Sequence, residues 1–217
     1  SLYLVPANST SCPRFPIGAH HYTEAGLAEQ AIPYWQKAGQ RASQRSAHVE
    51  AISHLTKGLE LLRLLPDTPE RAQQELLLQT TLGSTLMVTK GLAAPEVEQA
   101  YLRARELCRQ VGETPQLLPV LFGLCRFYNI QAEYQTAREL GEQLLKLAQR
   151  IEPTHLVGAH YMRGANLYWL GELASTRAHM EQGLVLYNRQ QHHSLVFFYA
   201  VDIGVSCLSY ASFTLWY

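Results

Sequence analysis

Along most of this chain large apolar residues return every three or four positions, and short breaks rich in proline, glycine and polar residues separate these stretches. That period belongs to helices that bury one face. It predicts helices over 19–25, 27–43, 46–64, 69–89, 94–111, 115–130, 133–150, 155–169, 172–187 and 194–217. Stop signals stand between them at Pro66-Asp67-Thr68-Pro69, Gly91, Gly112-Glu113-Thr114-Pro115, Pro153 and Gly171. Thr68 and Thr114 each precede a proline, which places a capping hydroxyl beside a proline in the first helical turn. Gly26 suits a left-handed helix end. No stretch has the strict alternation or the Asn-Gly turns of a β-hairpin, so the expected fold class is all-α. Residues 1–18 hold Pro6, Pro13, Pro16 and Gly18 with no sustained period and read as an irregular leader; residues 19–217 read as one helical domain.

Within the helices a finer spacing returns. Trp35, Ala38, Gly39 and Ala42 form a pattern of large and small residues that Leu121, Leu124, Cys125 and Tyr128 repeat. Twelve positions after the small residue another small residue opens a second stripe: Ala51 after Gly39, Ala137 after Cys125, Thr176 after Gly164. This is the layout of a tetratricopeptide-like helical hairpin. Four hairpins follow, over 27–64, 69–111, 115–150 and 155–187, with first-helix small residues Gly39, Gly83, Cys125 and Gly164 at steps of 44, 42 and 39 positions. The steps exceed the usual 34 and approach those of other helical arrays, as long helices require. Backbones approach where Gly, Ala or Cys stands, and Leu, Tyr and Trp fill the adjoining turns. Such pairs cannot bury their apolar faces alone, so the expected architecture is an α-solenoid, a right-handed superhelix of antiparallel helical hairpins with a concave surface for partners. Leu208, Ala211 and Leu215 open a further first helix without a second, from which we expect a repeat domain truncated at its C-terminal end.

Hydrophobic residues make up 47% and charged residues 17%, which is the balance of an ordered chain rather than a disordered one. Eighteen Lys plus Arg match eighteen Asp plus Glu, leaving no net field to attract nucleic acid or an anionic membrane. Cys12, Cys108, Cys125 and Cys207 are scattered, with no Cys-x-x-Cys pair, and point to free thiols in a reducing cytoplasm. From Ser194 to Tyr217 only Asp202 is charged, but its position near the middle, with Gly204, Ser206 and Ser209, argues for a helix packed on both sides inside the stack rather than a membrane span.

The run His20-His21-Tyr22-Thr23-Glu24-Ala25-Gly26-Leu27-Ala28-Glu29-Gln30-Ala31, continuing through Tyr34-Trp35-Gln36-Lys37-Ala38-Gly39, resembles the opening of the helical-repeat region of large bacterial signalling ATPases. In those proteins it follows a nucleotide-binding domain, often with a class III adenylate or guanylate cyclase domain further upstream. His54-Leu55-Thr56-Lys57-Gly58-Leu59-Glu60-Leu61-Leu62, Leu65-Pro66-Asp67-Thr68-Pro69-Glu70-Arg71, Ala94-Pro95-Glu96-Val97 and Trp169-Leu170-Gly171-Glu172 are similar to the same family. The resemblance covers residues 19–217. It implies a regulatory arm that binds a protein or peptide, or the parent's own ATPase domain, with an intramolecular lever or dimerisation arm as the alternative. The phosphate-binding G-x-x-x-x-G-K-[ST] loop and a cyclase's metal-binding aspartate pair do not occur in this sequence.

The residues point to no catalysis, cofactor or metal of the chain's own. His20 and His21 are adjacent, His155 and His160 stand five apart, and no His-Glu-x-x-His occurs. No Gly-x-Ser-x-Gly elbow is present, and Glu139 and Glu142, flanked by Arg138 and Lys146, read as a solvated helix face. The candidate partner groove consists of first-helix residues that helical phase turns away from both neighbours: Gln36 and Gln40, then Phe122, Arg126 and Asn129, then Tyr161, Ala165, Tyr168 and Trp169. Aromatic, Arg and Asn side chains along a groove suit peptide recognition.

Overall fold

The computed structural model describes residues 14–112, 115–192 and 195–216, and these contain helices and turns with no strand. The helices are α1 (Arg14–Glu24), α2 (Ala28–Gln44), α3 (His48–Leu62), α4 (Pro69–Lys90), α5 (Pro95–Val111), α6 (Leu117–Ile130), α7 (Tyr134–Ile151), α8 (Leu156–Trp169), α9 (Leu173–Leu186), α10 (Arg189–His192), α11 (Val196–Tyr199) and α12 (Ile203–Phe213). The Thr68 hydroxyl accepts from the Arg71 amide at the start of α4, as its place before Pro69 implies. Thr114 lies outside the described residues.

The densest contacts join α2 with α3, α4 with α5, α6 with α7 and α8 with α9. These are the four expected hairpins. The first helices also touch in series, α2 on α4, α4 on α6 and α6 on α8, whereas the second helices make no comparable contact with one another. The pairs therefore share one continuous layer of first helices, α2, α4, α6 and α8.

Side chains set this spacing. A Cβ on Gly39 would stand 2.6 Å from Leu55, and one on Gly164 2.7 Å from the end of Met180. Both glycines allow a first helix to close on its own partner. The Tyr101 ring of α5 is the key between the second and third pairs: a Cβ on Gly83 of α4 would meet it at 2.8 Å, and one on Gly123 of α6 at 2.3 Å. Polar groups lock the same joints. Glu75 of α4 receives a two-point hydrogen bond from Arg103 of α5, at 2.6 and 3.1 Å. Buried Asn166 of α8 donates to Asn129 of α6 at 3.0 Å and to the Tyr134 carbonyl at 2.9 Å, tying the fourth pair to the third. The Cys125 thiol donates to the Ala137 carbonyl at 3.2 Å, where a small residue was expected to meet a small residue.

The structure corrects the sequence reading at both ends. Helix α1 begins at Arg14, so residues 14–18 belong to a helix rather than to the leader; residues 1–13 lie outside the described residues. Pro16 is no obstacle, because backbone N–H groups in a first turn have no intrahelical acceptor to lose. The stretch 194–217 is not one helix. Ala200 turns left-handed at φ 53°, and Asp202 caps α12 by accepting from the Val205 amide at 3.1 Å. The Tyr187 hydroxyl donates to the same carboxylate, and its ring fills the place of a Cβ on Gly204. Helix α12 packs on α8 and α9 through one face alone, leaving Val205 62% and Leu208 59% exposed, with Trp216 just beyond at 89%. It is thus not packed on both sides. Among the described residues no helix is long and apolar enough to cross a membrane.

Candidate functional site

The shared layer of first helices is the surface on which the sequence placed its groove. Its middle carries the chain's own α11, which rests on α4 and α6. Tyr199 ends that turn and is buried, its ring 4.0 Å from the Phe122 ring. The Tyr199 hydroxyl is in hydrogen-bond contact with His155 Nδ1, and its ring edge lies where a Cβ on Gly158 would come within 3.1 Å. Arg126 donates through Nη1 to the Tyr199 carbonyl at 3.0 Å. Leu195, one turn before Tyr199, is buried in the same core. An arginine, a histidine and a glycine from two first helices and their approach thus hold one aromatic side chain and one backbone carbonyl.

Phe122, Arg126 and Tyr161 come together here; the Tyr161 ring lies 6.1 Å from Phe122, and Ala165 is buried on the same helix. Asn129 is buried too, committed to Asn166. Tyr168 and Trp169 lie apart from Tyr199, in an aromatic group with Tyr210 and Phe213 of α12. Trp169 is 50% exposed and stacks on Tyr134. Gln36 and Gln40 are half-buried on α2, whose main contacts are α1, α3 and α4, so they do not join the cluster around Tyr199.

Sequence reasoning missed Tyr199, His155 and Gly158. The signal was present in Leu195 and Tyr199, four apart and so on one helical face, followed by Asp202 as a capping residue. The apolar run around them concealed the break.

Burial governs the electrostatics. It raises the Tyr199 phenol far above its usual range and pushes Tyr161 up to about 12, with Arg126 pulling Tyr161 the other way. It also lowers the His155 imidazole, against an opposing pull from Glu152, so the ring is neutral at pH 7. A pair of histidines stands between α8 and α9: His160 Nδ1 lies 3.1 Å from His179 Nδ1. Burial, the neighbouring His160 and Arg163 together bring His179 down to about 4. Among the described residues no three His, Cys, Asp or Glu side chains converge to hold a metal. Cys108, Cys125 and Cys207 are buried free thiols.

No family model matches the chain. An uncharacterized protein of Rhizobium meliloti (strain 1021) is 28% identical to it over 202 residues, which is 91% of this chain and 19% of that protein. The chain therefore spans about a fifth of the length of the curated relative it matches.

Proposed function

We propose that this chain is a tetratricopeptide-like α-solenoid, a protein-interaction scaffold or sensor module that regulates a signalling ATPase or nucleotide cyclase in the cytoplasm and performs no catalysis itself. The observation that carries the reading is the continuous layer of first helices, each touching the next, with aromatic and arginine side chains along it. A surface of that kind suits the grip of an extended or helical segment of another protein. The resemblance of residues 19–217 to the repeat region of bacterial signalling ATPases supplies the regulatory target. A relative five times longer is in keeping with a module that works inside a larger protein. Three buried, unbridged thiols favour a reducing compartment.

A second reading, an arm that dimerises or levers the parent protein, has its own support in the apolar face of α12, where Val205 and Leu208 are exposed beside Leu215 and Trp216. Two measurements separate these. The coding sequence on either side of the chain is determined, and the chain is titrated with the domain that this sequence encodes. An upstream phosphate-binding loop and a saturable complex are the expected result; flanking sequence without a nucleotide-binding motif overturns the ATPase assignment. Light scattering that shows a concentration-dependent dimer and no complex favours the second reading.

A further inference from the structure

Resting on the proposal that the first-helix layer binds protein, we infer that the turn Leu195–Ala200 is a ligand in cis: it fills the middle of that layer as an incoming peptide does, and a partner must displace it. The occupant this groove takes is a single helical turn that presents an aromatic side chain at its end and a free backbone carbonyl beside it.

Four observations carry this. The turn is short, four residues of α11, so its backbone makes almost no helix of its own and what holds it is the surface beneath. Its grip is of the kind used for peptides: one aromatic inserted against Phe122 and over Gly158, and one carbonyl held by Arg126. Arg126 reads the backbone and not the side chain of the turn, so the bond is open to any segment with the same geometry. The left-handed Ala200 and the Asp202 cap separate the turn from α12, which has its own contacts with α8 and α9. Helix α12 can therefore keep its place while the turn leaves.

Because the turn is tethered at its C-terminal side by two residues before α12 begins, its effective concentration at the groove is high, on the order of millimolar. A free segment of equal intrinsic affinity then competes poorly with it. Removing the anchoring ring reverses the order.

The test uses the full chain and a synthetic peptide copying residues 195–203, extended by a fluorescein-labelled pair of lysines and read by fluorescence anisotropy. Tyr199→Ala is expected to bind the peptide at least about tenfold more tightly than the wild-type chain, since the tethered competitor has lost its anchor. Adding Gly158→Val to Tyr199→Ala puts a side chain where the tyrosine edge sits and is expected to abolish that binding. A peptide that itself carries alanine for the tyrosine is expected not to bind. The inference is overturned by a Tyr199→Ala chain that melts cooperatively yet does not take up the peptide, or by uptake that Gly158→Val leaves unchanged. It is equally overturned by a Tyr199→Ala chain with no cooperative melt, because the turn is then part of the core rather than an exchangeable occupant. The assay contains no flanking domain: its failure beside a saturable domain complex removes the cis ligand alone, and its success without such a complex removes the ATPase-module reading alone.

Discussion

Gly123→Ala adds one methyl group at the joint between the second and third helix pairs, and the geometry gives its effect a sign. The new Cβ would lie 2.3 Å from Tyr101 Cζ and 2.5 and 2.6 Å from its two Cε atoms. Reaching ordinary contact requires a movement of about 1 Å, and the ring has little freedom, because it is fully buried and its other side faces Gly83 of α4. Forcing a methyl into a sealed core costs about 1–3 kcal/mol, and a movement of this size belongs at the upper end. Against that, alanine is about 0.8–1 kcal/mol better than glycine in a helix interior. The net expectation is a loss of about 2 kcal/mol, or roughly 4–8 °C in Tm for a chain of this size. The control is the same substitution at Gly141 of α7, where a Cβ would meet only Cys125 Sγ at 3.7 Å and Arg163 Cα at 3.9 Å. There the propensity gain stands alone and stabilises by about 0.8–1 kcal/mol. Urea unfolding of both variants, followed by far-UV circular dichroism, reads the difference. Tyr101→Leu in the Gly123→Ala background should recover at least about 1 kcal/mol through direct coupling. A Gly123→Ala chain as stable as the Gly141→Ala chain would refute the reasoning.

Three other outcomes follow from the same contacts. Burial holds His54, His155, His160 and His179 below the usual imidazole range, so the unfolded chain takes up protons first. Stability should accordingly be level above about pH 6.5 and fall as pH drops toward 4, where His179 titrates in the folded chain, and His179→Gln should flatten part of that slope in urea titrations at several pH values. Asn166→Leu leaves the Asn129 carbonyl oxygen without its donor in a buried site and should cost about 1–3 kcal/mol, whereas a neutral effect in urea unfolding would contradict the clamp between α6 and α8. Cys125 and Cys207 are pushed up to about 12 and Cys108 to about 11, so in a Cys12→Ser chain an aromatic disulfide reagent at pH 8 should find no rapidly reacting thiol until urea is added.

The pairing of neighbouring helices was legible because backbone approach demands small residues at fixed places. Gly39, Cys125 and Gly164 were readable as contact points, and each proved to lie against its expected partner helix. The pairing Gly83–Tyr101–Gly123 was only half legible: Gly83 stood in the pattern, but a tyrosine wedged between two glycines on different helices is a long-range fit that no local period encodes. Among the groove residues, helical phase expected Phe122, Arg126 and Tyr161 to turn away from both neighbours, whereas the Phe122 and Tyr161 rings meet across α6 and α8 and both are buried. Phase cannot say whether that face meets solvent, and here Tyr199, more than seventy residues after Arg126, lies over it. The last stretch misled for a related reason. Apolar content with a single charge reads as one helix, whereas one left-handed residue and the carboxylate of Asp202 as a cap split it and sent its first turn onto another surface.

We propose the layer formed by α2, α4, α6 and α8 as the face that meets other protein. Hydrogen exchange of the chain, measured alone and with the domain encoded beside it, tests this most directly. We expect slowed exchange concentrated in the first helices, with faster exchange in residues 195–200 as the turn is displaced. Slowing confined to α3, α5, α7 and α9, or to the exposed face of α12, would contradict it.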